Sequence, residues 1–69
     1  MHYQDIYEHH SLVVWTTKWQ TGWTWAYSID DGAMVESEGS PNLSEAFVLN
    51  EGIQQSRRAV QALQPVRVL

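Results

Sequence analysis

The chain has no cysteine, and only two prolines and four glycines in its 69 residues. Without thiols, neither disulfides nor thiolate metal centres can staple it. Packing alone must hold it, and the absence suits a cytoplasmic location. Positive charge is also scarce. Lys18, Arg57, Arg58 and Arg67 stand against eight carboxylates, a formal net charge of −4. Nucleic-acid binders advertise a basic patch that neutralises phosphates, so nucleic acid is not the expected partner. No apolar run approaches the roughly 18 residues that cross a bilayer, so no membrane partner is expected. Met1 to His10, with Asp5 and Glu8, does not read as a secretory leader.

Catalytic signatures are missing too: there is no nucleophile elbow, triad order or glycine-rich phosphate loop. The acidic pairs Asp30-Asp31 and Glu36/Glu38 read as turn and surface residues rather than an acid–base couple. His2, His9 and His10, near Asp5 and Glu8, match no ligand spacing for a metal. The expectation is a protein that is not an enzyme and takes no cofactor or metal.

What the chain does have is aromatic surface. Trp15 to Ile29, WTTKWQTGWTWAYSI, holds all four tryptophans around one turn. A buried ring removes about 150–250 Å² from water, a large stabilising contribution in a domain this small. Trp23 to Ile29 alternates large and small residues, the period of a half-buried strand. Ser11 to Trp19 is rich in Val, Thr and Trp, which suit a pleated surface. A two-residue Thr21-Gly22 loop would force a positive φ on β-branched Thr21. A three-residue Gln20-Thr21-Gly22 loop puts that position on glycine. It pairs Trp19 with Trp23, Trp15 with Tyr27 and Val13 with Ile29, collecting every large ring on one face. A similar loop at Asp30-Asp31-Gly32 pairs Tyr27 with Val35, with a two-residue Asp31-Gly32 turn as its competitor.

Asn42 and Glu45 form a capping-box variant that opens a helix from about Leu43 to Leu63, closed by Pro65. Ala46, Leu49, Ile53, Ser56, Val60 and Leu63 recur at spacings of three and four. Gly52 costs the helix about 1 kcal/mol against alanine, for which close approach to a bulky ring is the expected reason. The fold class expected is α+β: a three-stranded antiparallel meander with one C-terminal helix packed on the aromatic face. Residues 1–10 form an irregular lead-in, 11–38 the sheet and 42–64 the helix. Residues 65–69 are either a tail or a short fourth strand. Trp15, Trp25 and Tyr27 should lie beneath Leu49, Ile53 and Val60.

One helix either covers the aromatic face or leaves part of it bare. Trp19 and Trp23, at the hairpin tip, are the candidate anchors for a partner. The opposite face carries Leu12, Val14, Ala26 and Met34, an apolar island suited to a dimer or to ordinary surface. Ser11–Trp19 or Ala33–Glu38 should supply an exposed edge. Arg57 and Arg58 sit near the helix C-terminus, as a solvated pair or as a contact for phosphate or an acidic partner. The function expected is a small interaction module, binding a protein or itself.

The run from Gly22 to Phe47, GWTWAYSIDDGAMVESEGSPNLSEAF, resembles small bacterial proteins with a Gly-Trp strand, an Asp-x-Gly turn and a Glu-Ala helix. Its β-β-β-α order, with Glu38-Gly39 followed by Ser44-Glu45-Ala46, is similar to the amino-terminal half of HicB-type antitoxins. More distantly, it resembles double-stranded-RNA-binding domains. The resemblance implies an α+β fold and, as the alternative function, a nucleic-acid-linked regulator of the antitoxin kind.

Overall fold

A computed structural model of the chain describes residues 1–63. These form β1 (His2–Tyr7), β2 (His10–Trp19), β3 (Gly22–Ile29), β4 (Val35–Glu36) and α1 (Glu45–Leu63). The strands pair in chain order as one antiparallel sheet, with the helix packed against one side. The class is α+β, with four strands among the described residues where three were expected. The tail-or-strand alternative at residues 65–69 lies outside the described residues.

The additional strand is the expected lead-in. His2–Tyr7 pairs with β2 from His2↔Trp15 to Tyr7↔His10. The connecting turn is Glu8-His9, with φ of 52° and 69°. Two consecutive positive φ values are the mark of a mirror-image hairpin turn, normally signalled by Asn or Gly. No such residue stands here.

The second hairpin corrects the register. Its loop is two residues, Gln20 and Thr21, and Trp19 pairs with Gly22. Neither loop residue has a positive φ; Gly22 alone does, at 142°. The glycine is demanded a second way, because a Cβ there would lie 2.5 Å from the Asn42 carbonyl oxygen. Asn42 bridges to the neighbouring Trp23, whose N–H donates to the Asn42 oxygen at 2.7 Å and whose oxygen accepts at 2.9 Å. A contact 19 residues away in sequence thus sets the loop.

A one-residue change of register moves a whole row of side chains to the other face. Leu12, Val14, Thr16 and Lys18 pair with Ile29, Tyr27, Trp25 and Trp23, and this is the inner face, beneath the helix. Val13, Trp15, Thr17 and Trp19 pair with Ser28, Ala26, Thr24 and Gly22 on the outer face. Trp25 and Tyr27 do lie on the helix side, stacked with centroids 5.7 Å apart, but Trp15 does not. Leu12 and Val14, expected on the far side, have no exposed surface.

Asp30 and Asp31 take positive φ at the third turn, and Gly32 N–H donates to the Ile29 oxygen at 2.9 Å. The register beyond it is the expected one, Tyr27↔Val35, but the strand is two residues rather than Ala33–Glu38.

The helix starts at Glu45, and its cap is Ser44. Ser44 Oγ accepts from the Phe47 N–H at 3.2 Å, while Asn42 Oδ1 accepts from the Ser44 N–H at 2.9 Å. Glu45 does not reach back as a capping-box residue. Its carboxylate takes the Met1 ammonium and the Thr16 hydroxyl, each at 2.7 Å. The buried stripe is Val48, Gly52, Ser56 and Val60, one residue in every four. Ala46 and Leu63 of the expected stripe are exposed. Gly52 matches its expectation: a Cβ there would lie 2.8 Å from the Trp25 Cβ and 2.9 Å from Val14 Cγ1.

Candidate interaction surface

The inner face is occupied. Its polar groups are spent on joining elements, most densely where Arg57 meets β1. Tyr3 donates its hydroxyl to Asp5 Oδ2 at 2.9 Å and accepts from Arg57 Nη2 at 3.1 Å. Arg57 also lies over the Tyr7 ring, 5.3 Å from its centroid, and 3.8 Å from Asp5. Gln61 donates to the Tyr7 hydroxyl at 2.9 Å. The Tyr3 hydroxyl, the Ile6 amide and the Arg57 guanidinium together hold the Asp5 carboxyl below its ordinary range. Arg57 is therefore a structural clasp between helix and sheet, and Arg58 is exposed beside it.

Other titratable groups are similarly engaged. His10 Nδ1 lies 2.5 Å from Asp30 Oδ2, and the Ser11 N–H donates to Asp30 Oδ1 at 2.9 Å. Those two hydrogen bonds, in that order, lower the Asp30 pKa. Glu45 is lowered first by the terminal ammonium and then by Thr16. Glu51 accepts from Trp25 Nε1 at 2.9 Å.

No helix covers the outer face among the described residues, although Ala26 near its middle is buried. His2, Gln4 and Ile6 of β1 line up with Trp15, Val13 and Ser11 of β2. Ala26 and Glu36 extend the row across β3 and β4. Ile6 is 68% exposed and Trp19 55%. Among the paired residues of this face, Glu36 is the one carboxylate, and neither Lys nor Arg appears.

Trp19 reaches across to β3, its Nε1 donating to Thr24 Oγ1 at 2.8 Å. Beside it opens a recess of about 400 Å³, lined by Thr17, Trp19, Thr24, Ala26, Glu36 and Ser37 among others. The chain makes this hollow because Ser37 holds β3 through the Trp25 oxygen at 3.0 Å, and Asn42 holds it again at Trp23. The segment between those two attachments supplies Gly39 and Pro41 to its wall.

The expected anchor residues are therefore dispersed. Trp19 and Trp23 share the tip but lie on opposite faces, and the Lys18 ammonium sits over Trp23, 5.9 Å from its centroid. Met34 is 53% exposed, beyond the turn at the far end of β3. Sequence reasoning did not single out Trp15, Val13 and Ile6 as a row turned away from the helix, Glu36 at its margin, or the exposed Leu43 and Phe47 at the helix start. The β1–β2 pairing brings Ile6 into line with Val13 and Trp15, the Gln20–Thr21 register sets that row away from the helix, and no local signal fixes either.

The chain matches no family model, no curated protein and no solved structure. No helix among the described residues is long and apolar enough to cross a membrane.

Proposed function

We propose that this domain is a small non-enzymatic interaction module whose working surface is the outer face of its sheet, binding a protein partner or a second copy of itself. The observation that carries the reading is the apolar surface left exposed on this face, where Ile6 and Trp19 are both more than half exposed. The paired residues of the outer face include one carboxylate and no Lys or Arg, although the chain as a whole has net charge −4. A charge-poor, aromatic patch with a polar rim is the composition of a protein interface. The engagement of Asp5, Asp30, Glu45 and Glu51 in contacts between elements supports the non-enzymatic part.

The face, rather than an edge, is the working surface. Thr16 N–H donates to the Met1 oxygen at 3.0 Å, so by alternation His2, Gln4 and Ile6 turn their peptide groups outward from β1. The Asp5 carboxylate already accepts the Ile6 N–H at 2.8 Å, which blunts that edge. The opposite edge, β4, is two residues long. Short and capped edges are how sheets discourage strand addition. Ser11–Trp19, expected to be an edge, is interior.

A photo-crosslinking residue placed at Thr17 on the outer face, and separately at Arg58 on the helix, tests this in the source cell. Adducts of defined mass from position 17 and none from 58 are expected, with the mass separating self from partner. Adducts from position 58 alone, or from neither, overturn the reading. The antitoxin-like alternative meets its own test in titrations of labelled duplex and single strands at physiological salt. With Arg57 committed to Asp5 and Tyr3, no submicromolar complex is expected; tight binding would promote the regulator.

A further inference from the structure

We propose that the recess between Trp19 and Glu36 receives an arginine side chain from the partner, the guanidinium lying on the Trp19 ring and forking onto the Glu36 carboxylate. This rests on the interaction-module reading and names the chemistry of the partner at that surface.

Four observations converge. The Trp19 ring is fixed by its bond to Thr24 yet more than half exposed, so it is a positioned aromatic surface rather than a mobile one. Glu36 lines the same recess and takes part in none of the ion pairs among the described residues. The Lys and Arg side chains among the described residues lie elsewhere. Lys18 covers Trp23, Arg57 covers Tyr7, and neither of these nor Arg58 lines the recess. Finally, the volume of about 400 Å³ falls in the range of side-chain and small-ligand pockets.

An aromatic face within about 6 Å attracts a cation through the ring quadrupole. A carboxylate at the rim adds a charge-assisted hydrogen bond. Arginine exploits both at once because its guanidinium is planar and weakly hydrated, whereas the lysine ammonium is a compact, strongly hydrated point charge. The hydroxyls of Thr17 and Ser37 suit the remaining polar edge. The net charge of −4 draws a basic partner and repels a second copy.

The test is an NMR titration of the full chain with the capped pentapeptide Thr-Val-Arg-Val-Thr and versions carrying Lys, Gln or Glu at the centre. The arginine peptide should shift the Trp19 indole N–H and the Thr24 and Ala26 amides saturably. The lysine peptide should bind more weakly, and the Gln and Glu peptides not at all. Glu36→Gln should weaken the arginine peptide roughly fivefold, the scale of one exposed ion pair. Trp19→Ala should abolish its binding, and Glu38→Gln should leave it unchanged. Equal binding of all four peptides, absence of any shift at Trp19, or wild-type affinity in Glu36→Gln overturns the proposal. A Trp19 shift that follows protein concentration alone also overturns it, in favour of a second copy in the recess. If the peptides fail while the position-17 adducts persist, the arginine site falls and the module stands; if both fail, both fall.

Discussion

On the inner face of the sheet Leu12 and Val14 have no exposed surface, while Val13 and Trp15, their immediate neighbours in β2, are half-buried on the outer face. Both rows are apolar, so composition does not separate them. The helix does, and it reaches the inner row so closely that position 52 must be glycine. The inner face carries stability, and the outer face is left to do something else. Substitutions should therefore divide by face rather than by residue type.

The largest effect is expected inside. Leu12→Ala should cost about 2–5 kcal/mol in urea unfolding, a large share of the total for a domain this size. The sharper form compares neighbours with the same change. Val14→Ala should cost about 2–3 kcal/mol from lost burial and the cavity, and Val13→Ala less than about 1 kcal/mol. Equal losses would erase the distinction between faces.

Gly52→Ala comes next. Alanine favours the helix by about 1 kcal/mol, yet its Cβ would lie 2.8 Å from Trp25 Cβ and 2.9 Å from Val14 Cγ1. Overpacking of this kind costs about 1–3 kcal/mol, so the variant should melt below wild type. A rise in melting temperature would mean that the helix stands farther from the sheet.

The acid response is smaller. Asp30 and Asp5 are both lowered in the folded chain. The stability they add is present above the unfolded carboxyl value of about 4 and is lost as pH falls through their folded values. Asp30→Asn should flatten the stability profile below about pH 4 while changing nothing in its shape above pH 6 that comes from other groups. An unchanged acid limb would remove Asp30 from the account. Smallest of all, Trp19→Ala should shift stability by no more than about 0.5 kcal/mol, despite deleting the largest kind of side chain.

Much of the fold was legible. The alternation of β3, the Tyr27↔Val35 register and the reason for Gly52 all follow from local pattern. In β3 the rows are distinct: Trp23, Trp25, Tyr27 and Ile29 against Gly22, Thr24, Ala26 and Ser28. In β2 they are not, since Leu-Val-Thr-Lys alternates with Val-Trp-Thr-Trp. Local pattern favours collecting all the tryptophans on one face, and the actual register differs from that by one residue. The contact of Asn42 with Trp23, which fixes the loop, has no local sequence signal. β1 was hidden for a related reason: its inward row, Tyr3-Asp5-Tyr7, has a carboxylate in the middle that makes sense only once Arg57 arrives from the helix.

The register of β2 on β3 is therefore the central claim, and cross-strand Hα–Hα contacts in solution NMR test it directly. Val14 with Tyr27 and Thr16 with Trp25 are non-hydrogen-bonded pairs in this pairing, where Cα atoms approach to about 4.5 Å, so both cross-peaks should be strong. A Trp15–Tyr27 cross-peak in their place would return Trp15 to the helix side and contradict the assignment of the two faces.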